Sequence, residues 1–436
     1  MAQEVGLLAV IAAMVIGLTL ATGQIASPER IEVQRGSTPT QTAESIAFND
    51  AAGTPVTRLR GEGWTLVARG NNFRVERKEV VPLGQPQAVQ QVEGGFSVAG
   101  ATYRSADGWE LATMLDGQSQ LQRDPRVNKF LNKNNLMIVA TSASFYAIMA
   151  VGLTMIIVLG GIDLSVGAIY ALAAVVGAYV LNQMQAGASS AGQSVPTWLA
   201  LVTGVGLCCL VGAVCGLVNG AASVGLGVHP FIITLGGMGV YRGMAFVTTG
   251  GLSIGDLPPA YGDTVRSREL MGVPLGVNYL PTLVMLVVGA LFALVFSRTV
   301  FGRRMFAVGG NEVAAKYAGV PVGRTKVLVF TLSGLLAGLS AALALGHYGS
   351  ASSADGTGYE LDVIAAAVIG GASLSGGRGS ALGAILGAII IQLINNGFEA
   401  LQIDSQYKQI VIGLAIVLAV LIDQTKQRLG GPGKRH

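Results

Sequence analysis

The chain has 436 residues, 51% of them hydrophobic and only 12% charged, with a mean hydropathy of +0.57. So apolar a composition excludes an ordinary soluble protein, and a net charge of +4, with the basic residues gathered at the flanks of apolar stretches, argues against nucleic acid as a partner. Cys208, Cys209 and Cys215 share one apolar stretch with no His nearby, so they read as small buried hydrophobes and no metal or disulfide role is expected.

Ten apolar stretches approach the roughly 20 residues that a membrane helix needs: residues 5–22, 134–159, 166–184, 198–219, 229–250, 279–297, 327–346, 359–375, 380–397 and 407–423. The expected fold is an all-α polytopic membrane protein. The first stretch, within residues 1–22, is preceded by Glu4 and by no Lys or Arg, which favours a retained anchor over a cleaved signal peptide.

Residues 23–133 differ in kind, holding 13 of the 28 basic and 12 of the 24 acidic residues. They read as a small β-rich insert between the first and second helices. Trp64 to Val80 suggests a hairpin turning near Gly70-Asn71-Asn72, Ser97 to Leu115 a second one turning at Asp107-Gly108, and Pro82 to Gln91 a polar connection. No pattern of acids, histidines or glycines there points to catalysis, and a docking module is the expectation.

Residues 134–297 carry helices two to six. Asp163, in Gly160-Gly161-Ile162-Asp163-Leu164-Ser165, sits between two spans with almost no polar break. An ionisable group at membrane depth costs several kcal/mol and serves either a transport path or freed helix-end backbone. Asp163 therefore either caps the next helix, aided by Ser165, or takes part in transport. Arg242 lies mid-span, where a guanidinium caps carbonyls, pairs with Asp163 or faces a watery cavity. His229-Pro230 reads as a helix start.

The segment 298–326 is polar and basic, with Arg298, Arg303, Arg304, Arg324 and Lys326, which places it in the cytoplasm by the positive-inside rule. Alternation then puts both termini inside and the insert outside. The tail 425–436, with Lys426, Arg428, Lys434 and Arg435, agrees. Within this segment Asn311 suits an N-cap, Glu312 the positive end of the helix dipole, and Gly319 with Pro321 a helix stop. The enclosed helix is about 10 Å long, too short to be stable alone in water. Something docks on it, Ala314, Ala315 and Ala318 permitting close approach, or it is an ordinary loop.

The remaining helices occupy residues 327–424. Gly212, Gly216 and Gly220 recur at four-residue spacing, as do Gly334, Gly338, Ala342 and Gly346, two seams of small residues for close helix packing. Glu360 and Asp362 open the eighth stretch after Gly356-Thr357-Gly358 and suit a helix start. Asn395 and Asn396 either bond a hydroxylated solute or end the ninth helix. Residues 160–165 and 370–375 share Gly-Gly-x-x-Leu-Ser, a short sign of a repeat. The phosphate-binding pattern Gly-x-x-x-x-Gly-Lys-Ser/Thr does not occur in the sequence, and intramembrane carboxylates are few for a proton relay. An ion-coupled secondary carrier of a small polar solute nevertheless stays open.

Over residues 134–424 the chain resembles the permease subunits of bacterial ribose-type sugar ATP-binding-cassette importers. The resemblance runs through Ala147-Ile148-Met149-Ala150-Val151-Gly152-Leu153-Thr154, Gly161-Ile162-Asp163-Leu164-Ser165-Val166-Gly167, Gly309-Gly310-Asn311-Glu312, Gly356-Thr357-Gly358-Tyr359-Glu360-Leu361-Asp362 and Asn395-Asn396-Gly397. It implies a multi-pass inner-membrane subunit without catalytic residues or cofactors of its own. It works as a pair of permeases with a cytoplasmic ATPase that uses ATP and Mg and a periplasmic sugar-binding protein, and it moves a monosaccharide by alternating access. The segment from Gly309 to Gly319 then matches the family's coupling helix, with Gly309, Gly310, Asn311, Glu312, Ala315 and Gly319 as ATPase-coupling residues. The path and helix-break candidates are Asp163, Ser165, Arg242, Glu360, Asp362, Asn395 and Asn396. The insert departs from the family pattern.

Overall fold

The computed structural model describes residues 2–26, 29–34, 37–42, 45–51, 53–59, 62, 64–69, 72–82, 90–92, 94–98, 101–113, 119–267, 269–270, 273–274, 278–404, 406–415, 417 and 421. They fall into two compact units: residues 1–21 with 133–436, and residues 22–132.

The first unit is helical. Its helices are α1 (Ala2–Ala21), α2 (Lys133–Val158), α3 (Val166–Ser190), α4 (Thr197–Leu226), α5 (Pro230–Thr249), α6 (Pro259–Val265), α7 (Leu280–Arg298), α8 (Val300–Gly310), α9 (Glu312–Tyr317), α10 (Val322–Tyr348), α11 (Tyr359–Ile369) and α12 (Ala381–Ala400). Among the described residues eight of these are long and apolar enough to cross a membrane: α1 to α5, α7, α10 and α12. α2 runs through the middle, with every residue from Ala143 to Val158 buried, as an all-round apolar helix should be.

The expected span 359–375 is corrected. α11 has 11 residues, about 16 Å, half of what a bilayer core requires, and it stops at Gly370. Residues 406–415 are helical, and most of the remainder of the expected last span lies outside the described residues.

α4 and α10 meet along the two small-residue seams. A Cβ on Gly212 would lie 2.1 Å from the Gly334 carbonyl oxygen, and one on Gly216 2.1 Å from that of Phe330. Only glycine admits backbones this close.

The two Gly-Gly-x-x-Leu-Ser segments form the same helix stop. After α2, the Gly160 N–H donates to Ile157 O and the Gly161 N–H to Ile156 O, with Gly160 at φ 79°. After α11, Gly371 N–H donates to Val368 O and Ala372 N–H to Ala367 O, with Gly371 at φ 95°. Both are Schellman ends closed by a left-handed glycine. The equivalence pairs Gly160 with Gly371, one residue out of step with the match read from sequence.

The second unit is built of short antiparallel strands, with Gln24–Ala26 paired to Arg126–Asn128. Between these strands lie two lobes of one topology. In the first, Glu29–Glu32 pairs with Asn72–Arg77, which pairs with Trp64–Arg69; the meander Thr40–Gln41, Ser45–Asn49, Pro55–Leu59 comes between in sequence. In the second, Glu79–Pro82 pairs with Ser119–Arg123, which pairs with Glu110–Thr113, and the meander is Gln90–Val92, Gly95–Val98, Ala101–Arg104.

The registers agree as well. Val75 lies between Ile31 and Leu66, and Leu121 between Val81 and Leu111; Val75 and Leu121 are both fully buried. Arg77 lies over the Trp64 ring at 6.0 Å and Arg123 over the Trp109 ring at 4.6 Å. The sequence trace of this repeat is Gly63-Trp64-Thr65-Leu66 and Gly108-Trp109-Glu110-Leu111.

Residues 64–69 and 72–77 pair as a hairpin, while Gly70 and Asn71 at its turn lie outside the described residues. The expected hairpin turn at Asp107-Gly108 is corrected: Gly108, at φ 82°, ends a short 3-10 turn at Ser105–Asp107, and the strands on either side pair elsewhere. Most of the expected connection from Pro82 to Gln91, residues 83–89, lies outside the described residues.

Candidate functional site

α9 forms where the caps place it. Asn311 adopts extended backbone and its Oδ1 accepts the Ala314 N–H at 2.9 Å. At the other end Gly319, at φ 78°, follows the last turn, and the Val320 N–H donates to Ala315 O at 3.0 Å. Glu312 reaches across to α10, accepting from Lys326 Nζ at 2.7 and 2.8 Å.

α9 has two faces. Ala315 is turned inward, 4% exposed, whereas Val313 and Tyr317, one turn apart, are 64% and 89% exposed. These two side chains are the largest apolar groups that α9 offers to a partner. Of the other candidates in this segment, Gly309 lies against the end of α2 and Gly310 closes α8.

Asp163 and Ser165 start a buried polar chain. Asp163 Oδ1 accepts the Ser165 N–H at 2.7 Å and the Ser165 Oγ–H at 2.6 Å, which holds the turn from which α3 begins. Asn219 Nδ2 on α4 donates to Ser165 Oγ at 2.8 Å, and Tyr241 OH on α5 donates to Asn219 Oδ1 at 2.9 Å. Thr234 on α5 completes the connection: its Oγ accepts the Leu164 N–H at 3.2 Å and lies 3.2 Å from Ile162 O.

Arg242 does not join this chain. Its Nη1 donates to Ser353 O at 2.8 Å and to Asp355 O, so the guanidinium caps carbonyls in the turn before α11. The same turn is held by Asp355 Oδ2, which accepts the Ser352 N–H at 2.8 Å. Glu360, on the first turn of α11, has its Oε2 buried with no hydrogen-bond partner among the described residues, and a Cβ on Gly167 would lie 2.8 Å from it.

Asp362, two residues on, pairs with Lys408 Nζ at 3.6 Å. Asn396 and Asn135 exchange side-chain hydrogen bonds of 2.8 and 2.9 Å, tying α12 to the start of α2. Asn395 Oδ1 and Gln392 Nε2, both on α12, are buried without hydrogen-bond partners among the described residues.

The thirteen candidates therefore form separate groups. Sequence reasoning missed Val313 and Tyr317, whose exposure depends on which way α9 is rolled, and Gln392, one turn before Asn395 and Asn396. It also missed the ring cluster of Tyr146, Tyr170 and Tyr359, with centroids 4.5 and 5.3 Å from that of Tyr359. Tyr359 was within reach, because it lies inside the Gly-rich motif that precedes Glu360.

Comparison with known proteins gives a consistent result. The family described as "Branched-chain amino acid transport system / permease component" matches residues 135–420. The ribose import permease RbsC of Bacillus subtilis is 38% identical over 298 residues, 68% of this chain and 87% of that protein. RbsC of Escherichia coli K12 is 37% identical over 303 residues, 68% and 88% of the two chains. The D-allose transport system permease AlsC of the same strain is 35% identical over 300 residues, 68% and 85%. No solved structure matches the chain.

Proposed function

The chain belongs to this family of transport-system permease components, and on that footing we propose that it is the membrane subunit of an ATP-driven importer of a monosaccharide, a ribose-like pentose or a hexose. The observation that carries the reading is the similarity to ribose and allose permeases, together with the family match over residues 135–420, the range in which the capped helix α9 lies. No hydrolytic site is needed in this chain, because ATP and its Mg belong to a separate ATPase subunit.

In this reading residues 298–326 and both termini face the cytoplasm and residues 23–133 face the periplasm of a bacterial inner membrane. α9 seats in the ATPase with Val313 and Tyr317 as its apolar contacts, while Asn311, Glu312 and Gly319 hold its shape and Ala315 packs it onto its own chain. A second permease copy, most simply an identical one, and a periplasmic sugar-binding protein complete the assembly. Asp163, Ser165 and Arg242 act by fixing the turns around broken helices. Glu360 and Asn395, with the missed Gln392, each hold a buried polar atom without a partner among the described residues, which suits a solute path. Asp362 and Asn396 position them.

The test is uptake in proteoliposomes. Radiolabelled ribose or allose should enter only when this chain, its partner ATPase and the binding protein are all present with ATP. Uptake by this chain alone, driven by an ion gradient, would instead establish a secondary carrier. ATP-driven uptake of leucine without sugar uptake would move the substrate to the amino acids named in the family description.

A further inference from the structure

Gly309, near the end of α8, lies against the last carbonyl of α2. A Cβ at Gly309 would fall 1.7 Å from Val158 O and 2.8 Å from Gly377 N, and Val158 O itself accepts the Gly377 N–H at 2.8 Å. A Cβ at Gly376 would lie 2.6 Å from Gly309 O and 3.2 Å from Gly160 N. Three segments distant in sequence thus meet backbone to backbone: the residues leading into α9, the stop of α2, and the loop that follows the equivalent stop of α11.

The stop of α2 runs directly into Ile162, Asp163, Leu164 and Ser165. Thr234, Asn219 and Tyr241 bind this turn to α4 and α5 through the bonds described above. An unbroken series of short contacts therefore leads from α9 to α5.

We propose that this glycine joint is a rigid relay, in which Gly309 is a positioning residue that carries displacement of α8 and α9 into the turn 158–165 and, through Thr234 and Asn219, into α5. The inference rests on the importer reading, which makes α9 the point where ATP-driven motion arrives. Glycine backbones packed against one another have no rotamers in which a displacement could be absorbed, so close-packed segments move together. A side chain between α8 and α2 would give the joint slack.

The test uses the permease assembled with its ATPase and binding protein in proteoliposomes. Gly309→Ala and, separately, Thr234→Val should each lower the solute taken up per ATP hydrolysed by roughly tenfold, as expected for interrupting a coupling network, while ATP hydrolysis continues. Spin labels at Arg304→Cys on α8 and Arg378→Cys beside Gly377, in an otherwise unaltered relay, should keep one separation between the nucleotide-free and ATP-trapped states. A normal uptake-to-hydrolysis ratio in both relay variants, or a label separation that changes with nucleotide, overturns the proposal. If Gly309→Ala does not fold, Thr234→Val and the label pair decide. Absence of ATP-driven uptake by the unmodified complex would refute the importer reading instead, and the label separation would still report on the joint.

Discussion

Tyr317 stands 89% exposed on a helix of six residues whose other large apolar side chain, Val313, points the same way. In the proposed importer these two side chains are the apolar contacts of α9 with the ATPase. Tyr317→Ala should leave the permease folded and reduce ATPase binding, measured by co-purification, more than Lys316→Ala does. The capping residues behave differently. Asn311→Ala should destabilise α9 by about 1 kcal/mol, the usual loss on removing an N-cap, read as faster amide exchange across residues 312–318. Glu312→Lys places a cation opposite Lys326, and Gly319→Leu forces a left-handed residue to carry a side chain. Both should abolish uptake, measured against protein level in the membrane. Asn311 and Gly319 were legible because a cap is a local event, decided by a residue and its three or four neighbours. The partner of Arg242 was not, because the carbonyls it caps lie 111 and 113 residues away.

At the scale of elements, the two seams were also written in the sequence, since four-residue spacing of small residues has one common use in membrane helices, and the structure shows that they face each other as α4 on α10. Gly216→Leu should drive the helices apart, a Cβ already lying 2.1 Å from Phe330 O, and lower the detergent-solubilised protein's melting temperature sharply. Gly206→Leu, on the same helix with nothing within 4 Å of its Cβ, should change it little. The expected span 359–375 overruns α11 because hydropathy continues to residue 375 while the helix ends at Gly370, where a left-handed glycine follows. Composition reports what a segment is soluble in, not where its hydrogen-bond ladder stops. The doubled lobe of the second unit was hidden for another reason. Its shared sequence is three residues, Gly-Trp-x-Leu, and its common order is in strand pairing and register. Excising residues 79–123 should leave the first lobe folded, with Trp64 still buried, as judged by tryptophan fluorescence of the excised permease against the full-length one.

The molecule as a whole joins a helical unit of a known permease family to a unit that the family match, residues 135–420, does not cover. The insert is proposed as a contact surface for the binding protein or the neighbouring permease. Replacing residues 30–125 with a short flexible linker should weaken binding-protein affinity or permease assembly. Unchanged values for both would remove that role. The sequence by itself determined that the chain is a membrane protein, where its caps and seams lie, and which family it joins, because hydropathy, capping and motif order are properties of neighbouring residues. Only the tertiary structure decided that Ala315 faces in and Tyr317 out, that Arg242 serves a turn and not Asp163, and that Gly309 rests on the end of α2. Each of those depends on which distant backbone comes within a few ångströms, and that is fixed when the helices pack.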